Sequence, residues 1–96
     1  MFVLVSYDVA TVDGAGRRRL RRVAKTCLDY GQRVQNSVFE CILDPALLKQ
    51  LQYKLENIID KEKDSIRYYY LGDEFRNRVE HIGAKQSIDM EGTLLV

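Results

Sequence analysis

Histidine occurs once in this chain of 96 residues, cysteine twice, proline once and tryptophan not at all. Cys27, Cys41 and His81 cannot compose a spaced zinc set. The two thiols read instead as small buried apolar residues. No long hydrophobic run exists either. The longest early one covers residues 2–5, has no basic residue before it and is followed by Asp8, so it is too short for a signal peptide or a membrane span. A cytoplasmic protein with no membrane partner is expected. Low-complexity segments and internal repeats are absent, and 46% hydrophobic with 30% charged residues is the composition of a folded soluble domain. A single domain of this size buries only ~60–65% of its unfolded surface, so its core is thin and a homodimer is expected.

The net charge of +1 conceals a local imbalance. Residues 15–35 hold Arg17, Arg18, Arg19, Arg21, Arg22, Lys25 and Arg33 against Asp29 alone. Residues 44–64 carry four Lys against five acids and read as an ordinary solvated helix. Only the first cluster calls for a partner.

Residues 2–8 predict a buried strand that ends on Asp8. Between residues 13 and 30, Leu20, Val23, Ala24, Cys27 and Leu28 recur at i, i+3, i+4, i+7 and i+8, which predicts a helix with one buried face. Gly31 is expected to stop it in the left-handed conformation. Residues 33–43 predict a short strand, a tight reversal or bend, and a longer strand. Asp44-Pro45 starts a second helix running to about residue 62 and burying Leu48, Leu51, Leu55, Ile58 and Ile59. Residues 65–71 predict a strand closed by Gly72-Asp73, with at least one of Tyr68, Tyr69 and Tyr70 in the core, because strand neighbours alternate faces. The order strand, helix, strand, strand, helix, strand predicts an α+β ferredoxin-like βαββαβ sandwich, an antiparallel sheet with two helices on one face. This core occupies residues 1–72. Residues 73–96 form a C-terminal extension, with a short helical turn over residues 75–81 and an apolar tail at residues 92–96 that pairs as an extra strand with the partner subunit's sheet.

A carboxylate at a strand end is held by a rigid scaffold yet reaches solvent, so Asp8 is a candidate metal ligand, with a turn-former or helix cap as its ordinary alternative. Two-fold symmetry near that strand end brings a second copy alongside. Carboxylates ~4 Å apart repel by about 4 kcal/mol at an effective dielectric near 20, which protonation of one or a cation between them relieves. An oxygen-only pair favours Mg²⁺ or Mn²⁺, and such an ion polarises a phosphodiester and lowers the pKa of bound water, allowing hydrolysis without His. With Leu20 at the centre of the buried stripe, Arg18, Arg22 and Lys25 fall on the far side of the first helix and Arg19 and Arg21 on its flanks. No acid supports them at i+4 before Asp29, so this face reads as a binder of nucleic-acid backbone. Tyr7, Ser6, Ser37 and Phe39 are secondary candidates: the serines for a phosphate or for orienting Asp8, Phe39 for stacking on a base or ribose. Each also fits ordinary strand packing. Glu40 and His81 have no visible constellation.

Tyr7-Asp8 ending the first strand, the Arg-rich first helix, Tyr30-Gly31 and RVQNSVFE at 33–40 together resemble the Cas-two family of CRISPR-associated proteins. VEHIGAK and the apolar tail at 91–96 are similar to one subtype of it. The resemblance covers nearly the whole chain. It implies a ferredoxin-like homodimer whose tail strand completes the partner's sheet, metal-dependent endonuclease activity on RNA or double-stranded DNA in antiviral defence, and a place in spacer acquisition beside the Cas-one integrase. The family's metal ligand carries over to Asp8, and Tyr7, Arg33 and Phe39 match its other implicated positions. Its basic positions on the first helix do not map uniquely onto the crowded arginines, and Arg18, Arg19 and Arg22 are taken for them.

Two functions follow. One is a Mg²⁺-dependent phosphodiesterase dimer. The other is a non-catalytic scaffold whose Arg faces span a DNA duplex and bridge integrase subunits, and which survives loss of Asp8 but not of Arg18 and Arg22. A sandwich that stacks single-stranded RNA on sheet aromatics is disfavoured, because Ser37-Val38-Phe39-Glu40 lacks the Gly-aromatic pattern of such sheets.

Overall fold

The computed structural model describes residues 1–71 and 78–84. Seven elements follow along the chain: β1 (Phe2–Asp8), α1 (Gly14–Leu28), β2 (Gly31–Gln35), β3 (Val38–Ile42), α2 (Pro45–Ile58), β4 (Ser65–Leu71) and β5 (Arg78–Gly83). The sheet order is β2-β3-β1-β4-β5, every pairing is antiparallel, and β1 lies between β3 and β4. This is the ferredoxin-like sandwich.

Alternation builds it. Val3, Val5 and Tyr7 of β1 point to the helices with Phe39 and Cys41 of β3 and Ile66 and Tyr68 of β4, meeting Val23 and Cys27 from α1 and Leu51 and Leu55 from α2. Tyr68 lies in the core, Tyr70 packs against its margin, and Tyr69 falls on the opposite face. Both helices begin on an aspartate. The Asp13 carboxylate accepts from Gly16 N at 2.8 Å and that of Asp44 from Leu47 N at 2.8 Å, caps that stabilise by ~1 kcal/mol each. Gly16 is buried where α1 meets the chain leaving β1, and a Cβ there would lie 2.0 Å from Ala10 O. No helix among the described residues is long and apolar enough to cross a membrane.

Four expectations need correction. Gly31 does not end α1 in a left-handed conformation: Asp29 caps the helix in the right-handed region, and Gly31 opens β2, two residues before the predicted strand. A Cβ at Gly31 would lie 2.2 Å from Glu40 O and 2.5 Å from Cys41 Sγ, so the residue serves strand approach. Leu28, expected on the buried stripe, is 54% exposed, while its neighbour Cys27 is the residue of the last turn that packs in the core. The second helix stops at Ile58 instead of about residue 62. The carboxylates of Asp60 and Asp64 take Glu62 N and Asp60 N, offering the backbone a local alternative to the helix. The helical turn expected over residues 75–81 is extended from Arg78 onward, where β5 pairs with β4. The Gly72-Asp73 turn and the tail at 92–96 lie outside the described residues.

Candidate active site

β1 carries alternate side chains to two different surfaces. Tyr7 faces the helices, while Ser6 and Asp8 face the side on which no helix packs. Across the strands Ser6 pairs with Arg67 and Asp8 with Ser65, so all four share that open face. Ser6, Tyr7, Asp8, Ser37, Ser65 and Arg67 line a cleft of about 330 Å³. The turn carrying Ser37 is tied to the strand end by Tyr7 N donating to Ser37 O at 3.1 Å. One carboxylate, three hydroxyls and a guanidinium therefore surround the exposed tip of β1. The anionic and hydroxyl donors are hard oxygens, the type Mg²⁺ and Mn²⁺ take. Among the described residues, however, no three His, Cys, Asp or Glu side chains gather as a metal-binding group.

Tyr7, Phe39 and Arg33 form a second cluster across the sheet from Asp8. The rings of Tyr7 and Phe39 stack with centroids 6.0 Å apart, and the Arg33 guanidinium lies 5.1 Å from the Phe39 centroid. Phe39 is 0% exposed, so its ring has no surface to offer a base or ribose. The Tyr7 hydroxyl donates to Asn36 O at 3.3 Å. Burial, with Cys27 adding to it and Arg33 partly opposing it, raises the Tyr7 phenol above its ordinary pKa. These three residues stiffen the β2–β3 end from behind the strand that carries Asp8.

The basic helix divides too. Arg18, Arg22 and Lys25 are exposed on the outer surface of α1, with Arg17 and Arg21 beside them. Arg19 turns inward: its Nε meets Asp64 Oδ2 at 2.7 Å, with 15% of the side chain exposed against 0% for Asp64. Asp64 also accepts from Ala10 N at 3.0 Å and Asp60 N at 2.9 Å. Burial alone would raise its pKa, but Arg19 and the two backbone amides outweigh that and hold the carboxyl below its usual range. Ala10 lies two residues beyond Asp8, so Asp64 anchors the exit of the very strand that presents the candidate ligand.

Asp64, Ser65, Arg67 and His81 had no role in the sequence reading. Arg67 Nε donates to His81 Nδ1 at 3.0 Å. That bond assigns Nδ1 as the acceptor, and burial first, then the charge of Arg67, hold the His81 pKa below its ordinary value. A period of two does place Ser65 and Arg67 on one face of β4. That this face is the one bearing Asp8 depends on strand pairing.

Residues 1–79 match the family model described as CRISPR associated protein Cas2. The chain is 58% identical over 96 residues to the CRISPR-associated endoribonuclease Cas2 of Nitratidesulfovibrio vulgaris, covering 100% of this chain and 94% of that protein. It is 57% identical over 95 residues to the CRISPR-associated endonuclease Cas2 of Halalkalibacterium halodurans, covering 99% of each. The crystal structure of Streptococcus pyogenes Cas2 at pH 6.5 superposes with a TM-score of 0.71 at 59% identity, covering 83% of this chain and 96% of that one. With its ferredoxin-like order, its strand-end aspartate and these matches together, the chain belongs to the Cas2 family of CRISPR-associated proteins.

Proposed function

We propose that the chain is a nuclease of CRISPR defence that hydrolyses RNA or DNA phosphodiesters as a homodimer in the cytoplasm, with Asp8 as its divalent-cation ligand. The carrying observation is the exposed Asp8 in an oxygen-rich cleft that also holds Arg67. The relatives named endoribonuclease and endonuclease support the substrate class.

The dimer is supported by the open face itself. A sheet with one solvated side normally alternates apolar and polar residues. Here β1 is apolar on both sides over its first half. Ile42, Phe2 and Leu71 form a row across three strands, and Ile42 is 79% exposed. A second copy packed on this face buries that row and sets the Asp8 of a second copy near the first, supplying the second carboxylate that one chain lacks. Bound there, Mg²⁺ or Mn²⁺ would supply charge neutralisation and activation of water at neutral pH. The protein's own groups do the rest. Ser6 and Ser65 offer hydroxyl donors to phosphate oxygens, Tyr7 N and Asp64 hold the strand end in place, and Asp8 presents its carboxylate to solvent. In hydrolysis a water oxygen bonds to phosphorus, one bridging P–O bond breaks, and that bridging oxygen departs with a proton.

The test is cleavage of RNA and duplex DNA by purified Asp8→Asn protein, with Mg²⁺ and with chelator. Loss of cleavage in a folded variant is expected, and cleavage at the wild-type rate ends this reading. A second reading, a non-catalytic scaffold bridging Cas-one integrase subunits in spacer acquisition, is favoured by one observation. Arg18, Arg22 and Lys25 lie on the outer surface of the helix layer, on the opposite side of the sheet from Asp8. It predicts duplex binding that survives Asp8→Asn.

A further inference from the structure

The cations that the sequence puts forward do not lie beside Asp8. Arg18 and Arg22 are outside the helix layer, Arg19 is paired with buried Asp64, and Arg33 rests on Phe39 across the sheet. With a divalent cation held at Asp8, a phosphodiester there would still gain from a further positive group at the reacting centre, because charge builds on the non-bridging oxygens as the bond is exchanged. Arg67 is the one basic residue lining that cleft among the described residues.

Its placement is controlled from two directions. Across β1 it faces Ser6, which is two residues from Asp8 on the same side of the strand. Across β5 it faces His81, whose Nδ1 accepts its Nε at 3.0 Å. That bond requires the imidazole proton on Nε2, a buried nitrogen with no partner among the described residues. An unmatched buried donor is unfavourable and calls for an explanation, and the acceptor presented to Arg67 by the other ring nitrogen supplies one. A guanidinium anchored through Nε has its plane set, and its two terminal amino groups then form the fork that matches two oxygens of a phosphate.

We infer that Arg67 is a catalytic residue that binds the non-bridging oxygens of the scissile phosphate beside Asp8, and that His81 is the positioning residue that sets its guanidinium plane. The inference rests on the nuclease reading and assigns the part of that site which takes the phosphate. Ser6 and Ser65, its neighbours on the same face, add neutral donors to the same anion.

Steady-state cleavage of a defined RNA or duplex DNA with Mg²⁺ tests it, using the full-length chain and the variants Arg67→Gln, Arg67→Lys, His81→Leu, His81→Asn and Asp8→Asn. Arg67→Gln should lower kcat by ~100-fold or more with KM changed by less than about threefold, the signature of a contact strengthened in the transition state. Arg67→Lys, which keeps the charge without the anchored fork, should lose at least ~10-fold. His81→Leu should lose ~10-fold. His81→Asn, whose side-chain oxygen replaces Nδ1 as acceptor, should stay within about threefold of wild type. Should Arg67→Gln fail to fold, the His81→Leu and His81→Asn pair decides, since a purely structural role for His81 predicts no rescue by the acceptor. An Arg67→Gln enzyme with near-wild-type kcat beside an inactive Asp8→Asn overturns this inference and leaves the nuclease reading intact. Equal cleavage by wild type and Asp8→Asn, or no cleavage by wild type, overturns both.

Discussion

Arg19 and Asp64, 45 residues apart in sequence, meet at 2.7 Å beneath the exit of β1. The same carboxylate takes amides from Ala10 and Asp60, and its own backbone oxygen accepts from Ala84 N at 2.9 Å. One residue thereby joins α1, the loop after Asp8 and the segment after α2 through its carboxylate, and the end of β5 through its backbone oxygen.

Replacing Asp64 by Ala leaves Arg19 and two backbone amides without their acceptor, and should destabilise the fold by about 3 kcal/mol or more. Urea unfolding at neutral pH measures it. Asp64→Asn keeps the shape and part of the hydrogen bonding and should lose less.

The pH dependence of that loss has a definite sign. Burial opposes ionisation of Asp64, but Arg19 and the backbone amides prevail and lower its pKa in the folded state. The stabilisation is therefore complete above the unfolded aspartate value of about 3.9 and is lost as pH falls through the folded value. Urea midpoints of wild type and Asp64→Asn should differ at pH 7 and converge as the pH is taken from about 4 downward.

Arg18 and Arg22 stand exposed on one surface, whereas Arg19 is engaged inside. The double change to Ala should weaken duplex binding and reduce the slope of log K against log salt by about 2, if each arginine meets one phosphate. Binding titrations at several salt concentrations read this directly, with Asp8→Asn expected to keep the wild-type slope.

Neither thiol should react in the native protein. Burial, with Cys41 adding to it, pushes the Cys27 thiol up to about 12, and burial followed by Glu40 raises Cys41. Alkylation at pH 8 should be slow for the folded chain and fast in denaturant, as counted by mass spectrometry.

Gly31→Ala introduces a methyl 2.2 Å from Glu40 O, a backbone atom that cannot move alone. The β2–β3 pairing must shift, at about 1–3 kcal/mol, and thermal unfolding should register it.

Strand and helix identities were legible because periodicity reports directly on burial. β1 and β4 fall where alternating or β-rich runs place them, and Asp44 caps α2 as its side-chain oxygen dictates. Element ends were less legible. Whether Gly31 stops a helix or admits a strand depends on Glu40 and Cys41, and where α2 stops depends on an aspartate four residues beyond Asp60. Periodicity along one element holds no record of either contact.

The candidate site divides along the same line. Chain order alone sets Asp8 at the tip of a strand, spaces Arg18, Arg22 and Lys25 along one helix surface and carries the family pattern, because these are properties of neighbours in sequence. Alternation along β1 already sets Tyr7 and Asp8 on opposite faces; only the tertiary structure gathers Phe39 and Arg33 beside Tyr7, turns Arg19 inward to Asp64 and sets Arg67 and His81 beside the cleft. The physical reason is strand pairing. The register between β1, β4 and β5 decides which side chains share a face, and that register is fixed by core packing between residues dozens of positions apart.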